Sequence, residues 1–186
     1  MLSVGLIVEG IYDEAALMEL VRKCAPSEVH VICRPCGSGI QVMKKFPGFL
    51  ESFRRVNKGL AVDCAIVIRD ADQKNPRDLI ARMESKISGR KYPFSRHLLV
   101  IVQELEAWLL ADEEALSSVT GRPQQRIPNP ETVNDPKARL EKMLSGAGIA
   151  YTAEVARRIA AAARADVLLV RCPSFKNFYD AVVTSV

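Results

Sequence analysis

Apolar residues in this chain alternate between short continuous runs and longer stretches with helical spacing. The runs at 2–8, 28–34, 65–68 and 98–102 are short, rich in branched side chains and bounded by turn-forming residues, as is typical of buried strands. Between them, apolar positions recur every three or four residues, which predicts helices at 12–24, from Pro47 onward and at 76–88. This alternation predicts an α/β protein with a parallel sheet of about four strands flanked by helices.

The last third of the chain has a different pattern. Residues 121–136 contain four prolines and little apolar material, which predicts a long loop after an α/β domain at 1–120. Residues 137–186 are predicted to form a helical C-terminal part, with helices at 138–144 and 153–165 and a last one capped by Ser174. The apolar residues Phe175 and Phe178 would pack this part on the same core.

Acidic residues follow three of the predicted strands. Glu9 follows the first, Asp70 and Asp72 follow the third, and Glu104 follows the fourth. The carboxyl ends of parallel strands meet at one edge of a sheet, where ligands of α/β proteins bind. Crowded carboxylates repel one another unless a cation neutralises them, so we predict a site for a hard divalent ion, Mg²⁺ or Mn²⁺. The alternative for Asp70 and Asp72 is an ordinary turn and helix cap before Pro76.

Glu104 and Glu106 lie two residues apart at the start of a predicted helix. Side chains at this spacing do not face the same point on a helix, so only one of them can reach the predicted site unless the first lies before the helix. Glu104 is taken as the candidate ligand. After the second predicted strand, Gly37-Ser38-Gly39 lacks the spacing of a phosphate-binding loop, and we interpret it as a turn.

These motifs resemble a known family in their order along the chain. Glu9-Gly10 after a first strand and Asp70-x-Asp72 after a later one resemble the TOPRIM domain of topoisomerases, primases and related nucleases. Asp13 matches the second acidic residue of the overcoming-lysogenization-defect nuclease branch. Residues 103–112 and 135–137 are similar to small stand-alone bacterial TOPRIM-like proteins. The resemblance covers nearly the whole chain and implies a TOPRIM-like fold.

The resemblance also implies a chemistry. It implies metal-dependent cleavage of phosphodiester bonds in nucleic acid, with DNA as the expected substrate and Mg²⁺ held by Glu9, Asp70 and Asp72. Glu9 is the general acid and base in topoisomerase and primase relatives, whereas in the nuclease branch Glu9 and Asp13 share a second metal ion. A cationic side chain assists in such sites, and Lys137 is the candidate here.

Two residues beside the acidic motifs are candidate substrate contacts. Gly10 follows Glu9, and Arg69 directly precedes Asp70. A cation at position 69 departs from the family pattern, because it would either weaken metal binding or bind a substrate phosphate.

Two other function classes fit the same residues. Small TOPRIM-like proteins often accompany chromosome-maintenance-type ATPases in bacterial defence systems, so the chain could be a non-catalytic accessory subunit whose acidic site is residual. An aspartate-dependent phosphatase or phosphotransferase could use Asp70 as its nucleophile. That class places its Asp-x-Asp motif after the first strand, whereas here the motif follows the third.

Composition limits the class of protein and the cell compartment that we expect. Hydrophobic residues make up 48% and charged residues 26% of the 186 residues, enough for a real core, and no segment approaches the roughly 18 apolar residues of a membrane helix. The net charge of +4 is too small to predict tight binding of a polyanion. Five cysteines without a recognisable signal peptide favour reduced thiols and a cytoplasmic location. One basic group is predicted to form a solvated face, with phosphate contacts as the alternative: Lys44, Lys45, Arg54, Arg55 and Lys58.

Overall fold

The computed structural model describes residues 2–56 and 59–184, and this part of the chain contains four strands. The α/β half runs β1 (Leu2–Val8), α1 (Ile11–Cys24), β2 (Val29–Pro35), α2 (Gly39–Ser52), β3 (Cys64–Asp70), α3 (Pro76–Ile87) and β4 (Ser95–Ile101). The C-terminal half runs α4 (Glu106–Leu109), α5 (Glu113–Thr120), a 3-10 helix (Pro130–Thr132), α6 (Pro136–Gly146), α7 (Ala153–Ala162), α8 (Ala165–Arg171) and α9 (Pro173–Val183).

The four strands form one parallel sheet in the order β2-β1-β3-β4. Ile7 pairs with Val67 between β1 and β3, and Asp70 pairs with Ile101 between β3 and β4. The predicted α/β class, with a parallel sheet of about four strands and helices at the C-terminus, is confirmed. This register brings the carboxyl ends of β1, β3 and β4 side by side at one edge.

Two apolar cores cover the two faces of the sheet. Leu6, Ile66 and other alternate strand residues pack in a core with α1 and the C-terminal helices, whereas Ile7 and Val67 pack on the other face with α2 and α3. Side chains of successive strand residues point to opposite faces, so this division continues into the residues that end each strand. Helices on both faces explain why the central strands are almost continuously apolar.

Helix α2 begins earlier than predicted. The prediction that it starts at Pro47 is wrong, because the helix runs from Gly39 to Ser52 with Pro47 in its interior. The Ser38 hydroxyl accepts a hydrogen bond from the Gln41 N–H at 3.3 Å and caps the helix. An interior proline costs about 3 kcal/mol, and the burial of Val42, Phe46 and Leu50 offsets it at about 1.5–3 kcal/mol each.

The basic group on and after α2 is only partly a solvated face. Lys44, Lys45 and Arg55 are exposed, whereas Arg54 is half-buried, ion-paired with Glu51 and placed over the Tyr92 ring at 5.1 Å. Lys58 lies outside the described residues.

Side chains of the last helices hold the proline-rich stretch at 121–136 in place. Arg171 donates hydrogen bonds to the carbonyls of Ala111 and Ile127, and the Glu131 carboxylate accepts from the backbone N–H and the hydroxyl of Ser174. The helical part beyond it shares one core with α1 and one face of the sheet. Among the described residues, none of the helices combines the length and the apolar character that crossing a bilayer requires.

Ser174 lies in the first turn of α9, which begins at Pro173, and does not cap the helix as predicted. It joins the buried Trp108 to the loop, because its hydroxyl accepts a hydrogen bond from the indole N–H at 2.8 Å. We expect Ser174→Ala to lower the free energy of unfolding by about 1–3 kcal/mol, since it leaves that N–H buried without a partner. Urea denaturation would measure the loss, with Ser145→Ala at an exposed position as the control. Equal effects of the two changes would contradict this role of Ser174.

Candidate functional site

The backbone brings the predicted acidic residues to the same edge of the sheet. Glu9 directly follows β1, Asp70 is the last residue of β3, and Glu104 lies three residues beyond β4. The chain then leaves β3 and β4 in tight turns: Asp72 and Gln103 have φ angles of 48° and 64°. Such left-handed conformations are uncommon for residues other than glycine, and they cluster at functional sites.

A cleft of about 270 Å³ opens at this edge, and most of the predicted site residues line it. Of the eight residues singled out from the sequence, only Arg69 does not reach its wall. Two larger clefts beside α3 and β4, of about 810 and 580 Å³, contain none of the eight. The side chains and backbone that form the acidic cleft are Glu9, Gly10, Tyr12, Asp13, Gly37, Ser38, Asp70, Asp72, Glu104, Glu106 and Lys137.

Backbone groups of two other elements hold the Glu9 carboxylate. Its Oε1 accepts a hydrogen bond from the Asp70 N–H at 3.0 Å, and the Gly39 N–H at the start of α2 also donates to it. Burial raises the pKa of Glu9, and the neighbouring charge of Asp72 adds to this, while these N–H groups and the Arg69 charge oppose the rise. The result is a fixed carboxylate whose charged form is only partly compensated.

Asp13 has two roles at the start of α1. Its Oδ2 accepts a hydrogen bond from the Gly10 N–H at 2.7 Å, which is the helix-start role expected of an acidic residue in the first turn. Its carboxylate also faces the cleft, where burial, together with the charges of Glu106 and Glu9, raises the pKa to about 7. Because the Gly10 N–H is already bonded to Asp13, Gly10 has no free donor for a substrate phosphate.

Asp70 lies among the other carboxylates without a donor of its own. Among the described residues, none donates a hydrogen bond to its carboxylate. Burial and then the charges of Asp13, Glu9 and Glu106 raise the pKa of Asp70 well above its usual range. Because no donor in the described part of the chain stabilises the charged form of Asp70, a cation in the cleft would stabilise this carboxylate more than its neighbours.

Both glutamates after β4 reach the cleft, although their spacing on a helix would separate them. Glu104 precedes α4, and its Oε2 accepts a hydrogen bond from the Lys137 N–H at 3.2 Å. Glu106 is 6% exposed, and its Oε1 accepts from the Tyr151 hydroxyl at 3.0 Å. The turn at Gln103 places Glu104 before the helix, so the helical spacing argument does not apply to it.

Lys137 brings one positive charge to the cleft from the helical C-terminal part. Its Nζ lies 5.2 Å from the centre of the Tyr12 ring, and Tyr12 in turn contacts the Tyr151 ring at a centroid distance of 5.0 Å. The charge of Lys137 lowers the pKa of Asp13 and of Glu106, although burial still dominates both groups. The C-terminal helices therefore complete one wall of the cleft.

Arg69 lies behind the cleft. Its side chain is 4% exposed, its Nε donates to the Asp70 carbonyl at 3.1 Å, and its Nη2 lies 3.5 Å from Asp72 Oδ2. Asp72 is half exposed and also lies 3.9 Å from Lys74 Nζ. Little of the guanidinium remains for contact with a substrate.

Sequence reasoning missed Glu106, Tyr12, Tyr151 and Gly39 as parts of the site. The Glu104-x-Glu106 pair was a usable signal for the first. Tyr151 gave none, because it lies in the connection between α6 and α7, far from the acidic motifs in sequence. Gly39 was assigned to a turn, whereas it packs directly against Glu9: a Cβ atom there would lie 2.6 Å from Glu9 Oε1.

The donor atoms of the cleft suit a hard divalent ion, but the present distances between its side chains do not. All its candidate ligands are carboxylate oxygens, which Mg²⁺ and Mn²⁺ prefer. In residues 2–56 and 59–184, no three His, Cys, Asp or Glu side chains are grouped as they would be around a bound ion. Binding of an ion would therefore require side chains of the cleft to rotate toward it.

The comparison with protein families extends over almost the whole chain. A family model described as a domain of unknown function, DUF4276, matches residues 8–182. The chain belongs to this family. The matched span contains every residue that lines the acidic cleft, as well as Arg69, Gly39 and Tyr151. No curated protein and no solved structure was found to match the chain.

Proposed function

We propose that this DUF4276 protein carries out metal-dependent phosphodiester chemistry on nucleic acid, as a nuclease that acts on DNA together with a partner ATPase. The observation that carries the proposal is the cleft itself, where carboxylates from the ends of three parallel strands meet a lysine from the C-terminal helices. The order of its acidic motifs resembles that of TOPRIM nucleases. A cytoplasmic location is part of the same proposal, because the substrate and an ATPase partner would be found there.

In this proposed reaction, different residues of the chain would bind the metal ion, transfer a proton and bind a phosphate oxygen. A bound Mg²⁺ or Mn²⁺ would stabilise the charge that develops on the phosphate. The candidate ligands from the sequence are Glu9, Asp13, Asp70, Asp72 and Glu104, and Glu106 joins them because it lines the same cleft. Glu9, held by two backbone N–H groups, would move a proton to or from an oxygen of the phosphodiester. Lys137 lines the same space, and its ammonium group would bind a phosphate oxygen.

A partner is expected because this chain has few groups with which to grip DNA. The net charge is +4, and affinity for DNA grows with the number of phosphates that a protein neutralises. Within the described residues, the cleft wall offers Lys137 as its cation and Arg69 is buried. An ATPase could supply the DNA-binding surface and the signal for cleavage.

A nuclease assay on plasmid and linear DNA tests the proposal. The wild-type chain, alone and with its ATPase partner, would be incubated with Mg²⁺ or Mn²⁺. We expect weak cleavage alone and strong cleavage in the complex, reduced at least about 100-fold by Asp70→Asn or Glu9→Gln. Glu84→Gln, an exposed carboxylate on α3, is the control and should retain full activity. Circular dichroism would check that every variant is folded.

Each alternative predicts a different result in that assay. Robust cleavage by the chain alone would contradict the need for a partner. Full function of a complex carrying Glu9→Gln and Asp70→Asn together would favour the non-catalytic accessory subunit. Hydrolysis of p-nitrophenyl phosphate that depends on Asp70, without cleavage of DNA, would favour an aspartate-dependent phosphatase.

A further inference from the structure

Arg69 is a charged residue in an apolar position. Residues 64–68 of β3 point alternately into the two cores, and Arg69 continues the alternation toward the face covered by α2 and α3. Its side chain is 4% exposed. Arginine is almost never buried to this degree without partners, because removal of its charge from water is costly. The partners of Arg69 therefore indicate what the residue is for.

The guanidinium of Arg69 forms an ion pair with Asp72 and shares a packing contact on Gly39 with Glu9. Its Nη2 is 3.5 Å from Asp72 Oδ2. A Cβ atom at Gly39 would lie 2.8 Å from the same Nη2 and 2.6 Å from Glu9 Oε1, so both charged groups pack on the same glycine. Arg69 thus places a permanent positive charge beside Glu9 and Asp72.

The backbone after β3 keeps Asp72 in this arrangement. Asp72 and Gln73 have φ angles of 48° and 63°, which turn the chain sharply after Asp70. The Asp72 carboxylate points back toward Arg69 as a result, and Lys74 lies 3.9 Å away on its outer side. Two cations already accompany Asp72.

On the other side of the cleft the nearby cation is Lys137, whose charge lowers the pKa of Asp13 and Glu106 without forming an ion pair. Among the described residues, no nitrogen of a lysine, arginine or histidine lies within ion-pair distance of the carboxylates of Asp13, Asp70 or Glu106. Asp13 accepts from the Gly10 N–H and Glu106 from the Tyr151 hydroxyl, both uncharged donors. Glu9 and Glu104 likewise form no ion pair, but each accepts a backbone hydrogen bond. Among the described residues, Asp70 is therefore the carboxylate of the cleft that has neither an ion pair nor a hydrogen-bond donor.

We propose that Arg69 takes the place of a second metal ion, so that the cleft binds a single divalent cation on the side formed by Asp13, Asp70 and Glu106. This inference rests on the proposed metal-dependent function and narrows it. Arg69 is a positioning residue, which fixes Glu9 and Asp72 by charge and by packing on Gly39. Glu9 then stays free of metal and available for proton transfer.

Binding of Mn²⁺ to the full-length chain tests this inference without reference to activity. Calorimetry and Mn²⁺ electron paramagnetic resonance would give the stoichiometry and affinity for the wild type. We expect about one ion per chain. Asp70→Asn should weaken binding at least about tenfold, whereas Asp72→Asn at a half-exposed position should change it less than about threefold.

Arg69→Met provides the second arm of the test. Without the guanidinium, Glu9 loses its neighbouring positive charge and Asp72 retains only Lys74, and we expect about two Mn²⁺ ions per chain. Arg69→Lys keeps the charge and should keep the stoichiometry of the wild type. If Arg69→Met does not fold, the comparison of Asp70→Asn with Asp72→Asn decides the matter.

The outcomes separate this inference from the proposed function. Binding of two ions to the wild type, or an equal loss of affinity in Asp72→Asn and Asp70→Asn, would overturn the role of Arg69 and leave metal-dependent chemistry intact. Absence of Mn²⁺ binding to the wild type at millimolar concentrations would overturn both.

Discussion

Replacement of Gly39 by alanine is expected to destabilise the protein. The new Cβ would lie 2.6 Å from Glu9 Oε1 and 2.8 Å from Arg69 Nη2, closer than such atoms can approach. Glu9 cannot move away freely, because the Asp70 N–H holds the same oxygen at 3.0 Å. We expect a loss of roughly 1–3 kcal/mol in the free energy of unfolding.

Gly48→Ala is a matched control for this change. Gly48 lies in the same helix, is exposed, and has no atom within 4 Å of the position that a Cβ would take. The substitution should raise the free energy of unfolding by about 0.4–1 kcal/mol, because alanine restricts the unfolded chain. Urea denaturation would compare the two variants. A Gly39→Ala protein as stable as Gly48→Ala would show that Glu9 and Arg69 are not packed against α2 as described.

Gly39 and Gly48 differ in a tertiary contact that the sequence pattern does not predict. The sheet was predictable because apolar runs and helical spacing alternate along the chain, and each pattern has a physical period. The edge that carries the cleft was predictable because Glu9 and Asp70 stand where strands stop. Nothing in the letters Gly37-Ser38-Gly39 indicates that one glycine will touch a carboxylate 30 residues earlier in the chain.

Contacts between distant elements account for the other differences. Glu106 and Tyr151 meet because the C-terminal helices pack on α1, and no local pattern specifies which loop residue then faces a strand end. Arg69 was considered as a substrate contact because a cation beside Asp70 is chemically plausible there. Its burial depends on where α2 begins, and the interior Pro47 concealed that position.

The metal-free protein is expected to lose stability as the pH rises from about 4 to about 7, and Asp13 should account for part of the loss. Asp13 has its pKa raised from 3.8 to about 7, chiefly by burial. Below pH 4 the group is protonated in both the folded and the unfolded chain. Between these values the unfolded chain releases the proton while the folded protein keeps it, so the free energy of unfolding falls, by roughly 2–4 kcal/mol in total.

Asp13→Asn should remove this pH dependence and retain the helix-start contact, because the asparagine carbonyl can still accept from the Gly10 N–H. We expect the variant to match the wild type near pH 4 and to exceed it by roughly 2–4 kcal/mol at pH 8 in the presence of a chelator. Urea denaturation at pH 4, 6 and 8 would measure the difference. Saturating Mn²⁺ should reverse the order at pH 8, since it stabilises the wild type through the carboxylate that the variant lacks.

Asp78→Asn is the control for this experiment, since Asp78 is also an aspartate in the first turn of a helix but is exposed on α3. Its effect should stay within about 0.5 kcal/mol across the same pH range. A difference between Asp13→Asn and the wild type that does not change with pH would show that Asp13 ionises in the folded protein as it does in the unfolded chain. The carboxylates of the cleft would then be too far apart, or too well solvated, to repel one another strongly. That repulsion is the reason for expecting a bound cation, so the proposed metal site would lose its support.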